Sequence, residues 1–271
     1  MSRIAARFAE LKSQGRGALI PYLEAFDPDL ETSRAILRGM PAAGADLIEI
    51  GMPFSDPMAD GPTIQAAAIR GLKGGATLRG TLALVTDFRT ENQQTPIILM
   101  GYLNPILSYG PQAFCEDAAR AGVDGLIIVD LPPEEADLLL PFAQGNAIDI
   151  IRLVAPTTDD ARLPHVLAGS SGFVYYISIA GITGTGTGSR EHLAAAIPRL
   201  RAATNLPIAI GFGIRTGDQV AGAVAIADAA VVASSLINIL AGTLDGQGKA
   251  TALTVDAVLN EVKALAARVK G

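Results

Sequence analysis

The chain has 271 residues, 49% of them hydrophobic, so it can bury a substantial core, and one α/β barrel fits this length. A net charge of −6 with no basic cluster excludes the electropositive surface that nucleic acid or an anionic membrane requires, leaving small molecules and protein partners. A single cysteine, Cys115, excludes a disulfide framework.

The opening segment, MSRIAARFAELKSQGRG, alternates charged and apolar residues at helical spacing. It predicts a helix rather than a signal peptide, and no later stretch offers a membrane-length apolar span, so the expected location is the cytoplasm. Short runs rich in Ile, Val and Leu then recur in the order ALIPYLEAF, DLIEIGM, PIILMGYL, GLIIVDL, DIIRLVAP, FVYYISIAG, LPIAIGFGI and DAAVVASSLI, with helical patterns between them. Near-continuous apolar strands fit a parallel sheet covered on both faces, and about eight βα units close into a barrel. The expectation is a single (β/α)8 TIM barrel domain over residues 1–271, with an extra N-terminal helix, additional loop helices and a last helix in LTVDAVLNEVKALAARVK.

Two junctions repeat, Ala43-Gly44-Ala45-Asp46 before LIEIG and Ala121-Gly122-Val123-Asp124 before GLIIVD, where a glycine can end each helix in a left-handed conformation. Helices are also predicted over Thr77 to Phe88 and Asp218 to Ala227. In QAFCEDAARAG helical spacing turns Cys115 inward as a buried structural thiol.

In such a barrel the chemistry belongs to the C-terminal ends of the strands. Glu49, near the end of the second strand in LIEIGMPFSDPMADGP, shares a face with Leu47 and Gly51, which points either into the barrel mouth or outward under the helices. A carboxylate there is either paired, with Arg152 the available cation, or desolvated so that it holds and exchanges a proton near neutral pH. If Leu153 faces inward, Arg152 faces the helices. Asp60, between Pro57 and Pro62, sits in a loop that the prolines restrain; Asp56 in Ser55-Asp56-Pro57 reads as a turn former. Gly181-Ile182-Thr183-Gly184, Gly211-Phe212-Gly213-Ile214 and Ser234-Ser235 together fit a lysine-free phosphate site, and the Gly/Thr-rich stretch at 183–189 fits a lid.

Absences narrow the chemistry. Lys12, Lys73, Lys249, Lys263 and Lys270 lie in helical or loop contexts, so a Schiff-base nucleophile lacks a candidate. His165 and His192 have no neighbouring ligand at metal-binding spacing, so no metal site is expected, and no early strand leads into a dinucleotide fingerprint. Proton transfer by carboxylates on a phosphorylated substrate remains.

LIEIGMPFSDPMADGPTIQ above all, with PYLEAFDPD, GVDGLIIVDLP, LVAPTT, AGITG, GFGI and the Ser234-Ser235 turn, resembles the tryptophan synthase alpha chain family over nearly the whole sequence. The resemblance implies retro-aldol cleavage of indole-3-glycerol phosphate to indole and glyceraldehyde 3-phosphate, in the last steps of tryptophan biosynthesis. It implies Glu49 as the acid and base, ionised Asp60 as acceptor of the indole N–H, and an apolar slot of Tyr22, Ile64, Met100, Ile127, Leu153, Tyr175 and Phe212. Thr183 would lie on the closing loop, with Gly184, Gly213 and Ser235 at the phosphate, beside Ser234. No cofactor is implied for this chain; pyridoxal phosphate (PLP) would belong to a beta subunit in an αββα heterotetramer, docked near Pro53 to Asp60 and Asn104-Pro105.

Three positions depart from the family pattern. Glu24 and Phe26 replace a small or hydroxylated residue and a glycine, and Ile179 replaces an arginine found in some relatives. Glu24 would either retune the pocket or face solvent. Two rival functions stay open: a stand-alone lyase that releases free indole, and a silent partner that only activates a beta subunit.

Overall fold

The computed structural model describes residues 2–177, 190–211 and 213–269, with backbone alone at 190–192. Its strands are β1 (Ala18–Glu24), β2 (Ile48–Gly51), β3 (Ile97–Gly101), β4 (Gly125–Ile128), β5 (Asp149–Ile150), β6 (Arg152–Val154), β7 (Val174–Ile177), β8 (Ile208–Gly211) and β9 (Ala229–Val232). All pair in parallel, in the order β5-β4-β3-β2-β1-β9-β8-β7-β6. Because β5 and β6 are consecutive pieces of one run, interrupted only at Ile151, the sheet forms a ring of eight strand positions. The break falls where the strand changes partners: β5 pairs with β4, and β6 pairs with β7. The barrel predicted from the eight apolar runs is present, with its fifth strand in two pieces.

Alternation along the strands sorts the core into two regions. Ile98, Ile127, Ile151, Phe173 and Tyr175 point into the barrel, while Ile48, Ile50, Ile97 and Leu99 point out beneath the helices. Both faces are therefore dry, which is why the strands read as unbroken apolar runs. The N-terminal helix Arg3–Ser13 starts at Ser2, whose hydroxyl accepts the Ala5 N–H at 3.3 Å. Its Ile4, Phe8 and Leu11 form one stripe packed into the barrel interior, and Phe8 lies 5.8 Å from Phe173, ring centre to ring centre. That helix plugs the bottom of the barrel.

The repeated junctions behave as their sequence predicts: Gly44 and Gly122 end their helices at φ 105° and 91°. The aspartates that follow do more. Asp46, just before β2, accepts the Leu19 N–H of β1 at 2.9 Å; Asp124, just before β4, accepts the Ile97 N–H of β3 at 2.8 Å. Asp228, before β9, repeats the device on the Ile208 N–H of β8 at 2.8 Å. Each also meets arginine: Asp46 binds Arg7 and Arg16, Asp124 binds Arg3 and Arg89, and Asp228 binds Arg201. Buried charge at the N-terminal ends of the strands is thus compensated, and it ties neighbouring strands together. Cys115 is fully buried in the helix Pro111–Ala121, and burial pushes its thiol up to about 11, as an inert structural residue requires. Among the described residues no helix is long and apolar enough to cross a membrane.

Candidate active site

At the other end of the strands Asp27, just beyond β1, still meets Arg70, but among the described residues Glu49, Glu24 and Asp60 have no arginine partner. Glu49 stands opposite Tyr22 of β1 and Ile98 of β3 in register, above Leu47, and so points into the barrel. It is 1% exposed, and among the described residues neither carboxylate oxygen has a hydrogen-bond partner. Burial and the nearby charge of Asp60 push it up to about 8. Arg152 does not compensate it. As the inward setting of Leu153 predicts, Arg152 leaves the barrel on the helix side and donates from Nη1 to the Leu131 carbonyl at 2.9 Å.

One residue pair further towards the mouth, Glu24 of β1 is in register with Gly51 of β2. Glu24 is 3% exposed, and its Oε2 accepts a short hydrogen bond from the Tyr22 hydroxyl. The solvent-facing alternative for Glu24 is therefore overturned: it is a wall of the site. Burial pushes it, too, up to about 8, against the pull of the Tyr22 hydroxyl.

Asp60 lies in the loop between β2 and the helix Pro62–Lys73. Its Oδ2 accepts from the Tyr102 hydroxyl at 2.9 Å, and the same hydroxyl accepts the Ala59 N–H at 3.0 Å, so Tyr102 anchors the loop at two points. Burial raises the Asp60 pKa and the Tyr102 hydrogen bond lowers it, so Tyr102 is the group that favours the ionised form. Sequence reading had passed over Tyr102, although it lies two residues beyond inward-facing Met100, and strand alternation was the signal that would have found it. Asp56 is a turn residue, bonded to the Ser55 hydroxyl at 2.5 Å.

A narrow cleft joins these groups: Tyr22, Glu24, Asp60, Met100 and Tyr102 line it, with Met52, Phe54 and Val129. Ile64 packs against Tyr22 and Met100 at its side. Ile127, Leu153 and Tyr175 lie deeper in the barrel interior. Glu49 occupies that deeper level, beneath the described wall of the cleft, where its charge and that of Asp60 both raise the Tyr175 hydroxyl. Gly213 has φ 79°, and two residues further along the same loop the Arg215 carbonyl accepts from the Ser235 hydroxyl of the helix Ser234–Gly242 at 3.4 Å. Thr183, Gly184 and Phe212, with Ile179 and the 183–189 segment, fall outside the described residues.

The departure at Phe26 has a local explanation. Its backbone is left-handed, φ 64°, a setting that costs a side-chain-bearing residue about 1–2 kcal/mol. Its ring is 6% exposed and packs over Gly80, and burying a phenylalanine contributes about 1.5–3 kcal/mol, enough to offset the strain. Among the described residues no group of three or more His, Cys, Asp or Glu side chains is arranged to hold a metal ion.

Comparison with known proteins places this geometry. The family model described as tryptophan synthase alpha chain matches residues 8–267. Tryptophan synthase alpha chains of Granulibacter bethesdensis and Gluconacetobacter diazotrophicus are 68% and 66% identical over 270 residues, covering 100% of this chain and 97% and 98% of theirs. Among solved structures, the alpha subunit of Legionella pneumophila tryptophan synthase superposes with a TM-score of 0.90 at 35% identity, over 99% of this chain and 98% of that one. A ligand-free tryptophan synthase from Mycobacterium tuberculosis gives 0.88 at 33% identity, over 100% of both chains.

Proposed function

Since the chain belongs to the tryptophan synthase alpha chain family, we propose how its own residues divide the family's reaction, the cleavage of indole-3-glycerol phosphate to indole and glyceraldehyde 3-phosphate. One observation carries the assignment: Glu49 is a buried carboxyl inside the barrel, and among the described residues it has no cation and no hydrogen-bond partner. Such a group costs several kcal/mol of stability if it ionises there, and it retains its proton at neutral pH. A proton held that way can be given to carbon.

Glu49 delivers its proton to C3 of the indole, which makes the ring a cation with its charge at nitrogen. The bond from C3 to the side-chain carbon then breaks, and its electrons restore the aromatic ring. The hydroxyl on that carbon loses its proton to the Glu49 carboxylate as the aldehyde forms, so the acid is regenerated. Asp60, kept towards its ionised form by Tyr102, accepts the indole N–H and balances the charge growing at nitrogen. Tyr22, Ile64, Met100, Ile127, Leu153 and Tyr175 form the apolar slot, with Phe212 completing it. Gly184, Gly213, Ser234 and Ser235 take the phosphate, and Thr183 lies on the loop that closes over it. The proximity of the Gly213 loop to Ser235 supports the phosphate reading.

In this reading the chain is one barrel domain, works in the cytoplasm and needs no cofactor of its own. Its partner is a PLP-dependent beta subunit in an αββα heterotetramer, to which indole passes. Met58, Leu107 and Leu138 are 78%, 44% and 40% exposed on the segments that follow β2, β3 and β4, and this apolar row around the mouth supports docking there. The test is indole release from indole-3-glycerol phosphate by the isolated chain, repeated with a beta subunit and with Glu49→Gln. Cleavage that the partner strongly activates and Glu49→Gln abolishes is the expected result. Equal release with and without the partner would favour a stand-alone lyase, and stimulation of the partner without cleavage would favour a silent activator.

A further inference from the structure

The slot assigned to the indole ring has apolar walls, and the ring offers one polar atom, its N–H, which Asp60 accepts in the reading above. Glu24 is a second polar station in the same cleft, and that reaction leaves it unused. Its place is built for it. A Cβ on Gly51 would fall 2.0 Å from the Tyr22 hydroxyl and 2.4 Å from Glu24 Oε2, so only a glycine at 51 leaves room for the hydrogen-bonded pair. Glu24 and Tyr22 are 3% and 5% exposed, so water reaches them poorly.

We propose that Glu24 is a specificity-determining residue of this enzyme: held by Tyr22 over Gly51, it presents a hydrogen-bonding edge to the benzenoid side of the indole and selects rings that carry a hydroxyl or amino group there. The inference rests on the lyase reading and on Asp60 taking the N–H. Glu24 and Asp60 line the same cleft, and the charge of Asp60 reaches Glu24; with the N–H on Asp60 and C3 turned to Glu49, C2 lies between those two acids, and the position assigned to Glu24 is C7, on the benzenoid side of the N–H. Tyr22 occupies only one lone pair of Oε2. Because Glu24 keeps its proton near neutral pH, the rest of the carboxyl can both donate to and accept from a substituent. A methyl group at position 7 has the same size and no such capacity, and it would leave the carboxyl's proton buried without a partner.

The experiment runs the reaction in reverse. C3 of the indole adds to the aldehyde carbon of glyceraldehyde 3-phosphate, the C3 proton leaves to the carboxylate, and the aldehyde oxygen takes up a proton to become the hydroxyl. Indole, 7-hydroxyindole and 7-methylindole are compared as kcat/KM. In the unaltered chain, 7-hydroxyindole should be preferred over 7-methylindole by about tenfold or more, the scale set by one buried hydrogen bond. Glu24→Leu should cut that ratio by about tenfold, whereas Glu24→Gln, which still donates and accepts, should keep it within about threefold. Glu24→Met serves as the apolar variant if Leu fails to fold. A ratio that stays within about threefold in the apolar variants overturns the proposal, as does an unaltered chain with no preference between the two rings. Failure of all three rings to react, indole included, would overturn the lyase reading itself. A merely structural role for Glu24 would change all three rings together and leave the ratio alone.

Discussion

The two ends of this barrel treat most of their carboxylates differently. At the N-terminal ends of the strands, Asp46, Asp124 and Asp228 each bind a neighbouring strand's N–H and at least one arginine. At the C-terminal ends Asp27 still meets Arg70, but among the described residues Glu49 has no partner, while Glu24 and Asp60 have tyrosine hydroxyls. β2 shows both treatments on one strand, with Asp46 before it and Glu49 on it, so the difference lies in what was placed opposite each acid. Charge matched by guanidinium holds strands together; charge left unmatched becomes a transferable proton. The barrel therefore separates stability from chemistry along its axis.

The contrast can be broken from either end. Glu49→Gln should lower turnover most, by about 10²–10⁴, because it removes the one group that both gives and takes protons. Asp124→Ala should act the other way round: it strands Arg89, whose side chain is 7% exposed, and should cost about 3–5 kcal/mol in denaturant unfolding while leaving the activity of the folded fraction unchanged. A loss of turnover in that variant without a loss of stability would dissolve the separation. Asp60→Asn should slow cleavage by about 10², since an amide oxygen still accepts the N–H but cannot balance a positive charge.

Two smaller effects sharpen the picture through pH. Tyr102 lowers the Asp60 pKa, so Tyr102→Phe should let it rise and move the acid limb of kcat/KM to higher pH. For Glu49 the folded value, about 8, lies above the ordinary 4.5, so between those limits the unfolded chain binds fewer protons than the folded one. The stability contribution of that carboxyl is present below pH 4.5 and is lost as pH rises towards 8. Glu49→Gln should therefore raise Tm more at pH 8 than at pH 5, so that the most damaging change for turnover is also a stabilising one. An equal shift at both pH values would mean that Glu49 is not desolvated.

Much of this was legible in the sequence because it depends on periodicity. Apolar runs mark the strands, and alternation sets Glu49 on the face of Leu47 and Gly51 and Arg152 opposite Leu153, while which of those faces looks into the barrel is fixed only by the closed sheet. What could not be read depends on distance between elements remote in the chain. The Tyr102 bond to Asp60 spans 42 residues, and the third strand-to-strand aspartate, Asp228, lacks the Ala-Gly signature that drew notice to Asp46 and Asp124. The split of the fifth strand follows from pairing with two different neighbours, which no local pattern encodes. Glu24 was visible as a departure, yet its burial depends on the space over Gly51, on another strand.

The central claim concerns one proton, so the most direct test is to titrate it. ¹³C-carboxyl NMR of glutamate-labelled protein, with resonances assigned by their loss in Glu49→Gln and Glu24→Gln, reads the Glu49 midpoint without any assay of turnover. The account predicts a midpoint near 8. A midpoint of about 4–5, where exposed glutamates titrate, would show a carboxylate already ionised at neutral pH and would contradict it.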